Sequence, residues 1–157
     1  LPHDHSLFEE ESRLLVATHM LAAASLYTLS RTASLQPGTR AAAVPTVMLF
    51  AFGSHFVLDA VPHDELNMAL NSAIGVVVIL YVLWLAWTGR DALLAAAACL
   101  GAMPDVLSIL HVSPSFNEFH RWNHYKPEGA IPASLMPIEL AGALVLVILL
   151  YIGRRRK

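Results

Sequence analysis

Long apolar runs alternate with short polar breaks along this chain, and the runs match the roughly 20 residues a bilayer-crossing helix needs. Five spans are read: about Leu14–Ser30, Ala41–Val61, Met68–Thr88, Ala92–Leu110 and Ala133–Gly153. Ser6-Leu7-Phe8-Glu9 reads as a capping box ahead of the first. Gln36-Pro37-Gly38 predicts a turn after it, and Pro62 stops the second span. Gly89-Arg90-Asp91 is so short that the third and fourth spans must form an antiparallel hairpin. Ala95 to Ala98 offers a small-residue surface for close helix packing. A loop over 111–130 precedes the last span, which ends in Arg154-Arg155-Arg156-Lys157. The expected fold is all-α, a polytopic membrane helix bundle of about five transmembrane helices, with residues 1–157 forming a single membrane domain.

Composition agrees. Of 157 residues, 56% are hydrophobic and 14% charged, and mean hydropathy is +0.56, too apolar for a soluble domain. A net charge of −2, with no basic stripe before the tail, gives no nucleic-acid signal. Cys99, the single cysteine, is expected as a small buried packing residue and cannot form an intrachain disulfide. Glu9-Glu10-Glu11 ahead of the first span is the wrong charge for a cleavable leader. Arg31, Arg40, Arg90 and the tail put seven of the ten basic residues on one side; Arg13, Arg121 and Lys126 fall on the other. The tail side is therefore expected to be cytoplasmic, with the N-terminus outside.

The informative residues are the ionisable ones inside these spans, where such groups rarely sit without a partner or a task. On the topology above, His19, His55, Asp59, His63, Asp105, His120, His124 and Glu139 all fall in or just above one leaflet, and the other leaflet holds no comparable group. His55, Asp59 and His63 recur every four residues, so they stack on one helix face. His120 and His124 share that spacing, which suits a short helix donating two imidazoles to one metal. Asp105 follows Pro104, where the bundle can open. Glu139 is expected as a hydrogen-bonding group, and His3, His5 and His111 as surface residues. Trp84 and Trp87 belong to the inner aromatic belt; Trp122 and Tyr125 anchor the outer loop.

Each of these groups has a plain structural reading: a hydrogen-bonded core histidine, an Asp–His pair, a solvated loop. Their coincidence carries more weight. Histidines with carboxylates suit a divalent metal, Zn²⁺ first and Mn²⁺ or Fe²⁺ next, as one or two ions; no thiolates cluster to suggest iron–sulfur. The metal ligands expected are His19, His55, Asp59, His63, Asp105, His120 and His124. Metal-activated water makes hydrolysis the natural reaction. A site near the headgroups suggests a membrane lipid as substrate, with Arg121 and Lys126 able to hold a phosphate. Asp59, Asp105 and Arg121 are the expected catalytic groups.

Thr18-His19, Ser54-His55-Phe56-Val57-Leu58-Asp59, Pro104-Asp105 and His120-Arg121-Trp122-Asn123-His124 together resemble the membrane-bound metal-dependent hydrolase family, which includes LexA-regulated inner-membrane proteins of bacteria. Here the two histidine elements stand in reversed order, and Asn123 and Tyr125 replace Thr and Ser of the family motif. The resemblance implies a metal-dependent hydrolase of a prokaryotic inner or plasma membrane, with His19, His55, Asp59, Asp105, His120 and His124 at matching positions. Three other readings compete. One is a non-enzymatic assembly or accessory subunit with a structural polar or metal cluster. Another is a b-type haem between His19 and His55. The last is a zinc amidase of lipids using three His and one Asp.

Overall fold

The computed structural model describes residues 16–32, 37–61, 68–124 and 135–155. Regular structure among them is helical: α1 (Val16–Thr32), α2 (Pro37–Asp59), α3 (Met68–Gly89), α4 (Ala92–Ile109), α5 (Pro114–Asn123) and α6 (Met136–Arg155). Four helices, α2, α3, α4 and α6, are long and apolar enough to cross a membrane. The remaining expected span, α1, has 17 described residues, and Thr18, His19, Ser25, Thr28, Ser30 and Arg31 dilute its apolar content. The expected turn at Pro37-Gly38 is instead the first turn of α2, where the fixed φ of proline fits and its missing N–H costs nothing. The capping box at Ser6 lies outside the described residues.

Helix α1 is the hub of the bundle, packed against α2, α3, α4 and α6. Its small residues Ala17, Ala23 and Ala24 are buried and let neighbours approach closely. The matching surface on α4 runs through Ala97, Ala98, Gly101 and Ala102, about one turn further along than expected. At Gly101 the approach is tightest: a Cβ there would lie 2.5 Å from the His19 carbonyl oxygen and 2.6 Å from Ala23 Cβ. Cys99 falls on the other side of α4 and is exposed, which corrects the expected burial. Large apolar side chains such as Leu49, Val77, Leu80 and Leu144 are exposed on the outer faces of α2, α3 and α6, as lipid-facing residues are.

Both ends of α1 are tied down. At its N-terminus the Val16 N–H donates to Asn71 Oδ1 on α3 at 3.0 Å. At its C-terminus Arg31 pairs with Asp91, and the Tyr27 hydroxyl donates to Asp91 Oδ1 at 2.7 Å. That partly buried ion pair sits at the helix ends, on the side where no counterpart of the histidine cluster was expected. The predicted α3–α4 hairpin closes as a Schellman turn: Arg90 takes φ of 49°, its N–H returns to Trp87 O and the Asp91 N–H to Ala86 O.

Candidate metal centre

The site lies at the opposite end of α1. Three long helices bring their polar residues there by running in alternate directions: His19 is near the start of α1, while His55, Asp59 and Asp105 lie in the final turns of α2 and α4. A fourth element closes it. His111, after α4, takes φ of 49°, its N–H donating to Ser108 O at 3.0 Å and that of Val112 to Leu107 O at 3.2 Å. This second Schellman turn reverses the chain. Ser113 then caps α5, accepting from the Phe116 N–H at 3.4 Å, with Pro114 in the first turn. Phe56 of α2 packs against Phe116 and Phe119, with ring centroids 6.4 and 5.3 Å apart. Asn123 Nδ2 donates to the Phe56 carbonyl at 2.7 Å. So anchored, α5 turns His120 inward, and His124 follows at its C-cap.

Six side chains from four helices thus converge. His19, His55, Asp59, Asp105 and His120 are each no more than 3% exposed. Asp59 is the centre: His55 Nε2 lies 3.0 Å, His120 Nε2 3.4 Å and His124 Nε2 3.5 Å from its Oδ2, and His19 Nε2 lies 3.2 Å from its Oδ1. Asp105 Oδ1 stands 3.7 Å from His55 Nε2 and 3.6 Å from His120 Nε2, and those two nitrogens are 3.0 Å apart.

These distances are long for charge-assisted hydrogen bonds, which run about 2.7–2.9 Å. Neither Asp59 oxygen accepts a well-directed hydrogen bond among the described residues, although both are buried. Asp105 Oδ2 is in the same position. The spacings fit the edges of a coordination shell instead. A tetrahedron with edges of 3.0–3.7 Å has its corners about 1.8–2.3 Å from the centre, which brackets zinc–imidazole and zinc–carboxylate bonds.

Histidine tautomers point the same way. His55 Nδ1 lies 2.9 Å from the Gly101 carbonyl oxygen, which can only accept, so Nδ1 carries the proton. The Nε2 of a neutral His55 therefore directs its lone pair at Asp59 Oδ2 and His120 Nε2. A cation among these donors turns that repulsion into ligation. A ring N–H given to a backbone carbonyl is the usual way a ligating histidine is oriented. Buried His and Asp groups here could hold a metal ion, in three overlapping sets: His19, His55 and Asp59; His55, Asp105 and His120; Asp59, His120 and His124.

Of the remaining expected site residues, His63 lies outside the described residues, as does Lys126. Arg121 is exposed on α5 beside buried His120 and does not join the converging groups. Glu139, in the first turn of α6, accepts from the Thr18 hydroxyl at 3.5 Å, next to His19, as its hydrogen-bonding role required. His111 is exposed and bonds Asn117 rather than the cluster. The His19 and His55 rings stack at 4.0 Å between centroids, leaving no room for a macrocycle between them, which rules against the haem reading. Sequence reasoning missed the Gly101 carbonyl and the Phe56–Asn123 anchor. The first had a faint signal, a glycine one turn before Asp105; the second had none, since only the fold brings α5 over α2.

No protein-family model, no curated protein and no solved structure matches this chain.

Asn123→Ala cuts the tie between α5 and α2 without touching a donor. Metal affinity, measured by competition with a chromophoric chelator, is expected to fall by about 10-fold, the lower end of what outer-shell changes cost.

Proposed function

We propose that this protein is a metal-dependent membrane hydrolase acting on an amphiphilic, phospholipid-type substrate. The observation that carries the reading is the enforced tautomer of His55, whose lone pair meets two buried carboxylates and a second imidazole. Its N/O donor set favours Zn²⁺, with Mn²⁺ or Fe²⁺ as alternatives. A divalent ion bound there supplies water acidic enough to yield hydroxide near neutral pH. His55, His120, Asp59 and Asp105 would hold it, with the water taking a further position. Asp105 Oδ2, with no hydrogen-bond partner among the described residues, stands ready to take the proton of that water. On this reading hydroxide would add at phosphorus, the P–O bond to the leaving alcohol would break, and Asp105 would pass its proton to that alcohol. Arg121, exposed on α5 one residue after His120, would have to swing from the outer side of that helix to meet the phosphate by a bidentate contact.

In this reading α1 is a fifth span. Arg31, Arg90 and Arg154 lie at the end away from the cluster, which makes that end cytoplasmic under the positive-inside rule. The cluster then faces the outer side of a prokaryotic inner or plasma membrane. The resemblance of the four short motifs to membrane-bound metal-dependent hydrolases supports the same function.

A second reading rests on the near-complete burial of the cluster and on its joining α1, α2, α4 and α5. On this view the metal is a structural tie in a non-enzymatic assembly subunit. Two experiments follow, the first testing the ligands that both readings share and the second separating them. His55→Ala and His120→Ala are each expected to lose stoichiometric metal while Leu80→Ala keeps it. The zinc-loaded protein, assayed against phospholipids of varied headgroup, is expected to release a water-soluble phosphate product. Metal retained in both histidine variants refutes the ligand assignment; bound metal with no turnover on any headgroup, together with unfolding on chelation, favours the structural tie.

A further inference from the structure

Helix α5 shows three distinct faces. Successive residues are turned by roughly 100° around a helix. Phe116, His120 and Asn123 therefore share one sector, the one packed on α2 and directed at the cluster. Phe119 and Trp122 share the next; they are 46% and 74% exposed. Glu118 and Arg121, both exposed, fall with Asn117 on the remaining side. A helix bound to a second protein needs no charged third face beside its apolar one. A helix lying flat at a membrane surface needs both: one side in lipid, one in water, and here one on the bundle.

Its surroundings point to lipid as the occupant. Val106, Ile109 and Leu110 at the end of α4, a helix apolar enough to cross a membrane, and Val112 in the turn before α5 are exposed as Phe119 and Trp122 are. Depth agrees. From Arg31 to His19 is 12 residues of α1, about 18 Å, and from Asp91 to Asp105 is 14 residues of α4, about 21 Å. With the Arg31–Asp91 pair at one surface of a hydrocarbon layer about 30 Å thick, the cluster lies roughly 10 Å inside the other surface, and the end of α4 at Ile109, about 27 Å from Asp91, lies close to it. The helix that covers it then falls at headgroup level.

We propose that α5 is seated in the lipid headgroup layer by Phe119 and Trp122, and that it presents His120 and His124 to the buried site from the bilayer surface. This deepens the reading above and rests on its membrane placement. The site has two parts: His19, His55, Asp59 and Asp105 on helices of the bundle, and two imidazoles on a helix held from outside by lipid. A substrate headgroup already in that layer would reach the site at the His124 edge, the donor with most exposure, 12% of its side chain.

The test uses tryptophan depth. One variant, Trp84→Phe with Trp87→Phe, keeps Trp122; a control, Trp84→Phe with Trp122→Phe, keeps Trp87 on α3. Each full-length protein is reconstituted in phosphatidylcholine vesicles whose acyl chains are brominated near the headgroup or near the methyl end. Trp122 is expected to lose most of its fluorescence to the shallow bromines, less to the deep ones, and little to aqueous iodide. Loss to iodide but not to bromine, with Trp87 still quenched by lipid, overturns the seating of α5 while the membrane reading stands. Protection from both quenchers means that protein covers this face, and also overturns it. If neither tryptophan meets lipid bromine, the membrane placement itself fails.

Discussion

Asp59→Asn is expected to empty the metal site. Asp59 is the one side chain that touches four imidazole nitrogens, and its replacement keeps the volume while removing the charge that neutralises a bound cation. Loss of a partner to a ligand costs about 10–100-fold in affinity, so loss of the central ligand is expected to exceed about 100-fold. Metal per chain, measured by mass spectrometry after purification without added metal, should drop to background. Stability should fall too. Breaking a buried charged cluster by removing one member costs about 3–5 kcal/mol, because the groups left behind stay buried and uncompensated. A variant that keeps its metal and its melting temperature would place Asp59 in an ordinary hydrogen-bond network.

Gly101→Ala is expected to be nearly as damaging, although it adds one methyl group and changes no donor. The added Cβ would collide with the His19 carbonyl oxygen and with Ala23, both on the central helix. Backbone cannot swing aside as a flexible side chain can, so α1 and α4 must separate. Overpacking of this kind costs about 1–3 kcal/mol. The separation also moves His19 against Asp59 and shifts the carbonyl that fixes His55. Both thermal stability and metal affinity should therefore fall together. Gly142→Ala is the control: nothing lies within 4 Å of a Cβ there, and replacing a helix-interior glycine by alanine gains about 0.5–1 kcal/mol. Equal behaviour of the two variants would contradict the tight α1–α4 contact.

The convergence of the site could be read from the chain because it needed only topology. Alternating spans put His19, His55, Asp59, Asp105 and the loop histidines at one end whichever way the bundle faces. The i,i+4 spacing of His55 and Asp59 placed them on one helical face, and the structure keeps them 3.0 Å apart. The details that periodicity does not encode were lost. Cys99 lies in a run of alanines that looks apolar all round, so its side of α4 could not be chosen; packing on α1 selected Ala97, Ala98, Gly101 and Ala102 instead. The apolar span from about Ala41 agrees with the window Ala42–Asp59, but Pro37-Gly38 was misread, because such a pair signals a turn and a first helical turn alike. The central place of α1 was not legible: the sequence marks it as one more apolar run, whereas α2, α3, α4 and α6 all pack on it and bury its Thr18, Ser25 and Tyr27.

The central claim is that side chains from α1, α2, α4 and α5 surround one metal centre. X-ray absorption at the metal edge, on protein purified with its native metal in lipid, tests it most directly. The account predicts a first shell of nitrogen and oxygen at about 2.0–2.2 Å with no sulfur, outer-shell scattering from at least two imidazoles, and loss of the bound-metal signal in His55→Ala with His120→Ala. A sulfur ligand, scattering from no imidazole, or an unchanged spectrum in that double variant would contradict it.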